Sequence, residues 1–148
     1  MKRLVSVPPN YFYACILICI PFYFLLSKFR YILFPYNLTG ILLIPAGIYL
    51  VLNPWYLFQQ YNTPEDFSPS TALVVNGTYK YSRNPMYLGG VLILAGIACT
   101  TGNLFAFISP VLFFLIMQYM FIPYEEEEME STFGEEYLKY KKVVRRWI

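Results

Sequence analysis

Apolar and polar residues follow one another along this chain in long blocks. Four apolar blocks carry almost no charge, and each is close to the roughly 20 residues that a helix needs to cross a membrane. The blocks are residues 11–27, 38–58, 86–102 and 104–123. The pattern predicts an all-α membrane protein with about four transmembrane helices. The last two blocks would form a hairpin that returns the chain to the side that it left.

The residues after the fourth block show a different periodicity, which is typical of an amphipathic helix over residues 125–147. Apolar residues recur there at spacings of three or four. They are Met129, Phe133, Tyr137, Tyr140, Val144 and Trp147. Acidic residues fill the beginning of this segment and basic residues its end, a distribution that complements the helix dipole. Gly134 lies in the middle, where it weakens the helix and indicates a bend.

The composition supports a membrane location. Of the 148 residues, 57% are apolar, 20% are aromatic and 14% are charged. This is too little charge to coat a soluble globule and more apolar surface than one core can hide. We therefore expect one membrane-embedded domain over residues 1–148.

The distribution of basic residues predicts the orientation, because Lys and Arg near helix ends stay on the cytoplasmic side. With the N-terminus inside, nine basic residues lie inside and two outside. The inner ones are Lys2, Arg3, Lys80, Arg83, Lys139, Lys141, Lys142, Arg145 and Arg146, and the outer ones are Lys28 and Arg30. All nine acidic residues also fall inside. We expect both termini, and nearly all ionic chemistry, to face the cytoplasm.

The residue types exclude some classes of site. The chain has no histidine, and its three cysteines all lie within the apolar blocks. A zinc site or a histidine-based catalytic triad is therefore not expected. We expect neither a metal ion nor a nucleic acid as a partner.

The start of the third apolar block could hold an anionic group. Pro85 suits an early helical position, because its missing N–H would have been unpaired there. Asn84 then takes the N-cap place, and the helix start offers free N–H groups and a positive dipole end. Arg83 adds a permanent positive charge. The alternative is an ordinary capped helix with an arginine that reaches towards water.

Four consecutive carboxylates, at positions 125–128, come directly after the fourth block. The helix dipole favours them at a helix N-terminus, and a solvated helix start is the simple explanation. The functional explanation is that Glu125 or Glu126 turns inward and accepts a hydrogen bond from a polar ligand. The hairpin brings these carboxylates to the same side of the membrane as Arg83.

Two sequence segments carry a resemblance to a known family. NGTYKYSRNPMYLGG is followed, after one hydrophobic hairpin, by EEEEMESTFGEEYLKYKKVVRRWI. Together they resemble the isoprenylcysteine carboxyl methyltransferase family and its relatives among phospholipid methyltransferases, over residues 68–148. The resemblance implies a membrane enzyme that takes S-adenosyl-L-methionine from the cytosol and methylates a lipophilic substrate from the bilayer, with membrane lipids as its surroundings.

The resemblance also implies a set of cofactor-binding residues and a role for the C-terminal helix, which would close over the nucleoside. The implied residues are Thr71, Ala72, Leu73, Val74, Tyr79, Asn84, Pro85, Met86, Tyr87 and Glu125. Two positions depart from the carboxyl-methylating relatives, which usually have histidine where Asn84 stands and often have arginine where Phe121 stands. The acceptor atom, oxygen or nitrogen, therefore stays open.

The chemistry of S-adenosylmethionine agrees with these residues. Its carboxylate suits Arg83 and the helix N-terminus, its sulfonium or adenine suits aromatic faces such as Tyr79 and Tyr87, and Glu125 can accept from an amine or hydroxyl. We take Arg83 and Glu126 as the candidate catalytic residues, with Glu126 as a proton acceptor if the acceptor is an amine. The alternative is a small membrane protein without enzymatic activity, either a scaffold or a transporter component.

Overall fold

The computed structural model describes residues 8–25, 27–63 and 71–148. Its α-helices are α1 (Pro8–Leu25), α2 (Thr39–Gln60), α3 (Pro85–Thr101), α4 (Ile108–Ile116), α5 (Ile122–Phe133) and α6 (Glu135–Val143). The predicted all-α class is confirmed for this part of the chain. Lys2 and Arg3, and most of the polar loop at 59–70, lie outside the described residues.

Two of the helical stretches are long and apolar enough to cross a membrane. They are Tyr36–Gln60 and Leu104–Phe133, while Pro85–Thr101 is apolar but shorter. The first three helices begin and end within three residues of the predicted blocks, whereas α4 begins at Ile108 after a 3₁₀ turn at Leu104–Phe107, four residues later than predicted, and departs from the prediction at its end as well. The number of membrane crossings stays a prediction.

The predicted boundary between the fourth block and a separate helix at 125–147 is wrong. Helix α4 runs through a π-helical turn at Met117–Phe121 directly into α5. Pro123 does not stop the helix, because it lies at the start of α5, just after the π turn has shifted the hydrogen-bond register. The four carboxylates therefore lie in the first two turns of α5, which continues from α4, and not at a free helix start.

The C-terminal segment is divided at Gly134, where the sequence predicts a bend. Gly134 has a positive φ of +52° and separates α5 from α6. Helix α6 then ends at Val143, and Val144 is extended. The last residues are thus not helical, contrary to the prediction of a helix to residue 147, and they fold back onto the rest of the protein.

Helices α2 and α3 pack closely through two pairs of glycines. A Cβ atom on Gly40 would lie 2.3 Å from the carbonyl oxygen of Gly96, and one on Gly47 would lie 2.6 Å from that of Gly89. Gly40, near the start of α2, thus meets Gly96, near the end of α3, so the two helices are antiparallel. Small residues let the two backbones approach this closely, as is common between membrane helices. The end of α2 therefore lies near the start of α3.

The opposite end of the molecule is closed by backbone contacts between two connections. Tyr31 and Ile32 donate their N–H groups to the carbonyl oxygen of Gly102, and Arg30 forms an isolated antiparallel bridge with Asn103. The Ser109 hydroxyl donates to the carbonyl oxygen of Cys15 at 2.5 Å and ties α4 to α1. Arg83 and the polar segments lie at the other end of the molecule.

Candidate functional site

A cavity of about 480 Å³ lies where the two polar segments meet. Its size is within the range of small-molecule sites, about 300–1,000 Å³. Its wall draws on α1, α2, α3, α4, α5, α6 and the loop before α3. The cavity therefore has both apolar and charged walls.

Ten of the predicted site residues line this cavity. They are Ala72, Leu73, Val74, Tyr79, Arg83, Asn84, Met86, Tyr87, Glu125 and Glu126. Thr71 and Pro85 are not in its wall. The backbone N–H of Thr71 donates to the hydroxyl of Thr63 at 3.0 Å, so that it closes the base of the loop, and Pro85 is buried at the first turn of α3.

The loop before α3 is held in place by α2. The side-chain oxygen of Asn53 accepts hydrogen bonds from both the N–H and the hydroxyl of Thr78, at 3.0 and 3.1 Å. Gly77, whose φ is +58°, passes so close that a Cβ atom would lie 2.6 Å from the same oxygen. The ring of Tyr79 then stacks on Phe58, with 5.9 Å between ring centroids. Helix α2 thus fixes one aromatic wall of the cavity.

Helix α6 closes the polar side of the cavity. The Tyr140 hydroxyl donates to the carbonyl oxygen of Tyr79 at 2.7 Å. Tyr137 is 4% exposed and also lines the cavity. Burial raises the pKa of both phenols, so they stay neutral near pH 7. Helix α6 therefore lies against the cavity, and its closure over a nucleoside stays a prediction.

Glu125 lies beyond the apolar part of its helix, which ends at Pro123. The hydroxyl of Tyr87 donates a hydrogen bond to its carboxylate. Removal from water raises the pKa of Glu125 to about 7; the Tyr87 bond lowers it in part, and the carboxylates of Glu128 and Glu126 raise it further. Glu125 is therefore a cavity carboxyl that changes charge near neutral pH.

Glu126 is the centre of an ion-pair cluster. The Arg146 guanidinium donates to both of its oxygens, at 3.0 and 2.8 Å. Arg83 Nη1 lies 3.1 Å from one oxygen, and Lys141 Nζ lies 3.4 Å from the other. Burial alone would raise the pKa of Glu126, but the Arg146 bonds and the three nearby cations lower it. Glu126 is thus held as a carboxylate.

Two guanidinium nitrogens of Arg83 lack a well-aligned hydrogen-bond acceptor within the part of the chain that the structure describes. Its side chain is 9% exposed, and among the described residues neither its Nε nor its Nη1 has a hydrogen-bond acceptor with good alignment. Nη1 is paired by charge with the Glu126 carboxylate at 3.1 Å but without a well-aligned hydrogen bond, and Nε has no hydrogen-bond acceptor in the described ranges. Buried unsatisfied donors are costly and rare in native proteins. Arg83 therefore lies in the cavity wall with hydrogen-bonding capacity left on its guanidinium.

Asn84 takes the predicted N-cap position, but its side chain does not cap the helix. Its amide nitrogen donates instead to the carbonyl oxygen of Arg146 at 2.9 Å. The backbone N–H of Asn84 donates to the hydroxyl of Ser82 at 3.1 Å. The amide therefore links the start of α3 to the C-terminal residues.

The apolar wall of the cavity was not predicted. It comes from α1 through α4 and includes Pro8, Pro9, Phe12, Tyr13, Val51, Phe58, Gly90, Ile93 and Phe113. Glu128, Met129, Tyr137 and Tyr140 complete the polar side. All four belong to the acidic or amphipathic patterns of the sequence, which could have identified them. Phe121 is not in the wall; it is buried in the core against Tyr11.

Comparisons with known proteins agree with this arrangement. A family model described as phospholipid methyltransferase matches residues 36–136. An uncharacterized protein of Haemophilus influenzae is 41% identical over 63 residues, which cover 43% of this chain and 100% of that protein. The protein-S-isoprenylcysteine O-methyltransferase of Schizosaccharomyces pombe is 37% identical over 75 residues, which cover 49% of this chain and 30% of that enzyme.

Proposed function

We propose, from the premise that this chain belongs to the phospholipid methyltransferase family, that it uses S-adenosylmethionine to methylate a lipophilic acceptor in the membrane. The family comprises S-adenosylmethionine-dependent membrane methyltransferases, and the chain is distantly homologous to an isoprenylcysteine O-methyltransferase. The observation that carries the proposal is the cavity in which the two polar segments converge. It is lined by Arg83, two of whose nitrogens lack a well-aligned acceptor among the described residues, and by the carboxyl of Glu125.

The residues of the cavity fit the parts of the cofactor. Arg83 can bind a carboxylate, Glu125 can accept from an ammonium or hydroxyl, and the stacked pair of Tyr79 and Phe58 offers an aromatic face to the adenine or the sulfonium. S-adenosylmethionine supplies a methyl group that its sulfonium activates. The protein contributes alignment of the reactants within the cavity.

The apolar wall suits the acceptor. Phe12, Val51, Ile93 and Phe113 come from α1 to α4, the helices that we propose to cross the membrane, so a lipophilic molecule could enter from the bilayer while its reactive group meets the polar wall. A carboxylate oxygen and an amine nitrogen both remain candidates for the accepting atom. Glu126 suits a structural role better than proton transfer, because three cations hold it ionised.

We further propose that the helices cross the membrane four times, with the cavity on the cytoplasmic side. The end of the molecule with the cavity carries Lys80, Arg83 and Lys141, and the opposite end carries Lys28 and Arg30. The excess of basic residues around the cavity supports this orientation. Labelling of single cysteines introduced at each end, in intact cells, would test it.

Calorimetry with S-adenosylhomocysteine and the purified protein in detergent tests the proposed function. We expect saturable binding by the folded protein, followed by transfer of a labelled methyl group from S-adenosylmethionine into a lipid extract. Folded protein that binds no S-adenosylhomocysteine would overturn the proposal and favour the non-enzymatic scaffold. The labelled product would identify the accepting atom.

Affinity for S-adenosylhomocysteine should depend on pH through Glu125. Its pKa in the ligand-free protein is about 7, and only the ionised carboxylate accepts hydrogen bonds with both oxygens. We expect the affinity to be constant above pH 8 and to fall below pH 7, by up to about tenfold per pH unit. Calorimetry between pH 5.5 and pH 8.5 would measure this.

Protonation of Glu125, which should weaken ligand binding, should by contrast stabilise the ligand-free protein. The folded pKa of this carboxyl is raised from an ordinary value of 4.5, so the folded state binds its proton more tightly than the unfolded state does. The resulting stabilisation is present at pH 4.5 and is lost as the pH rises through 7. An affinity that fell in parallel with thermal stability on acidification would contradict this assignment and indicate general unfolding.

A further inference from the structure

The last residues of the chain form a strap across the site. Arg83 donates its backbone N–H to the carbonyl oxygen of Arg145 at 3.0 Å, and Asn84 donates its side-chain amide to that of Arg146. The strap, residues 144–148, thus pairs with the loop before α3. These bonds hold the backbone of Arg145 and Arg146 beside the start of that helix.

Trp147 anchors the strap from the other side. Its indole N–H donates to the side-chain oxygen of Gln118 at 2.7 Å, and its ring packs on Phe114 with 4.7 Å between centroids. Gln118 lies in the π-helical turn between α4 and α5. The strap is therefore fixed by its backbone at Arg145 and Arg146 and by the side chain of Trp147. Together these contacts hold the side chain of Arg146 beside Glu126 of α5.

Arg146 saturates the carboxylate of Glu126. Its two donors reach one oxygen each, a bidentate geometry that is the strongest form of this ion pair. The cluster as a whole contains three cations, Arg83, Lys141 and Arg146, and two carboxylates, Glu126 and Glu130. It therefore has an excess of one positive charge, and two nitrogens of Arg83 have no well-aligned hydrogen-bond acceptor in the described part of the protein.

We infer that Arg146 is a positioning residue that keeps Arg83 available for the carboxylate of the cofactor. The inference rests on the proposed function and deepens it. Without Arg146, the buried Glu126 would lose both of its aligned donors, and Arg83, whose Nη1 is already 3.1 Å away, would turn to satisfy it. Arg83 would then no longer face the ligand. The strap thereby determines how strongly the site binds an anionic group.

A matched pair of ligands tests this role. S-adenosylhomocysteine and its decarboxylated analogue differ only in the carboxylate, so the ratio of their dissociation constants measures recognition of that group alone. We expect the wild-type protein to prefer S-adenosylhomocysteine by about tenfold or more, as for a charge-assisted hydrogen bond. Arg83→Gln and Arg146→Gln should both bring the ratio close to one, and both should bind the analogue about as well as the wild type does.

Three further variants separate positioning from folding. Arg145→Gln is the matched control, because that side chain is exposed and only its backbone contacts Arg83; its ratio should be unchanged. Arg146→Lys keeps the charge but not the bidentate geometry, so its ratio should be intermediate. Adding Glu126→Gln to Arg146→Gln should restore the preference, because Arg83 then has no unsatisfied carboxylate to turn to.

The outcomes distinguish the two proposals. Wild-type protein that binds neither ligand would overturn the proposed function itself. Wild-type protein that binds both ligands equally, or Arg146→Gln protein that keeps the full preference for the carboxylate, would overturn the inference and leave the proposed function standing. Loss of analogue binding in Arg146→Gln would likewise overturn it, since the strap would then be needed for the whole pocket.

Discussion

Gly47→Leu should prevent helices α2 and α3 from packing and should leave little folded protein. Even a Cβ atom at this position would lie 2.6 Å from the carbonyl oxygen of Gly89 and 2.9 Å from the backbone nitrogen of Ile93. Backbone atoms cannot move aside as a flexible side chain can, so the two helices would have to separate. Overpacking of a core typically costs about 1–3 kcal/mol, and a leucine against backbone should reach or exceed the upper end.

The measurement is thermal unfolding in detergent, together with the yield of monodisperse protein. Gly47→Ala should show a smaller loss in the same direction, although alanine is the better helix former by about 1 kcal/mol. Ala46→Leu is the matched control, because Ala46 is the neighbouring residue on the exposed face of α2. If Gly47→Leu melts at the temperature of the control, the close approach of the two helices is not present in the protein.

The sequence contained a signal for this contact that the hydrophobic pattern does not use. Gly40 and Gly47 are seven residues apart, as are Gly89 and Gly96. Seven residues make nearly two helical turns, so each pair lies on one face of its helix. The blocks themselves predict where the helices lie, because long uncharged stretches have few alternatives in a membrane. Which helices pack against each other is indicated only by the glycines, which contribute little to hydropathy.

Other features of the site have no local signal. Apolar side chains that face lipid and those that face the cavity have the same composition, since the lipid tails are as apolar as leucine. The contribution of Phe12, Val51 and Phe113 to the wall could therefore not be separated from the lipid-facing residues around them. The charged segments were easier to interpret, because ionisable groups at a membrane edge must meet partners or water.

The conformation of the strap could not be predicted from the sequence for a different reason. The apolar spacing of Tyr140, Val144 and Trp147 fits a helix, yet the chain leaves the helix after Val143. The competing interactions are long-range: the backbone of residues 145 and 146 pairs with residues more than 60 positions earlier. Trp147 is partly buried, but it packs against α4 and is not part of a longer helix.

Glu125→Gln should remove most of the affinity for S-adenosylhomocysteine and almost all methyl transfer. The substitution keeps the shape and one acceptor oxygen but removes the charge that would meet an ammonium or hydroxyl of the ligand. Hydrogen bonds to charged groups contribute about 1.5–3 kcal/mol, so the affinity should fall by about 10-fold to 100-fold. The variant should also lose the decline of affinity below pH 7, because no group with that pKa would remain at the position.

Stability distinguishes this loss from misfolding. Since removal from water already disfavours the charged form of Glu125, a neutral glutamine should unfold at the same or a higher temperature than the wild type above pH 7. Glu127→Gln is the matched control: that carboxylate is two residues away on the exposed side of α5 and outside the cavity wall, and its loss should change neither quantity. Tight binding by Glu125→Gln, or equal weakening by both variants, would mean that the carboxyl beside Tyr87 is not the group that holds the cofactor.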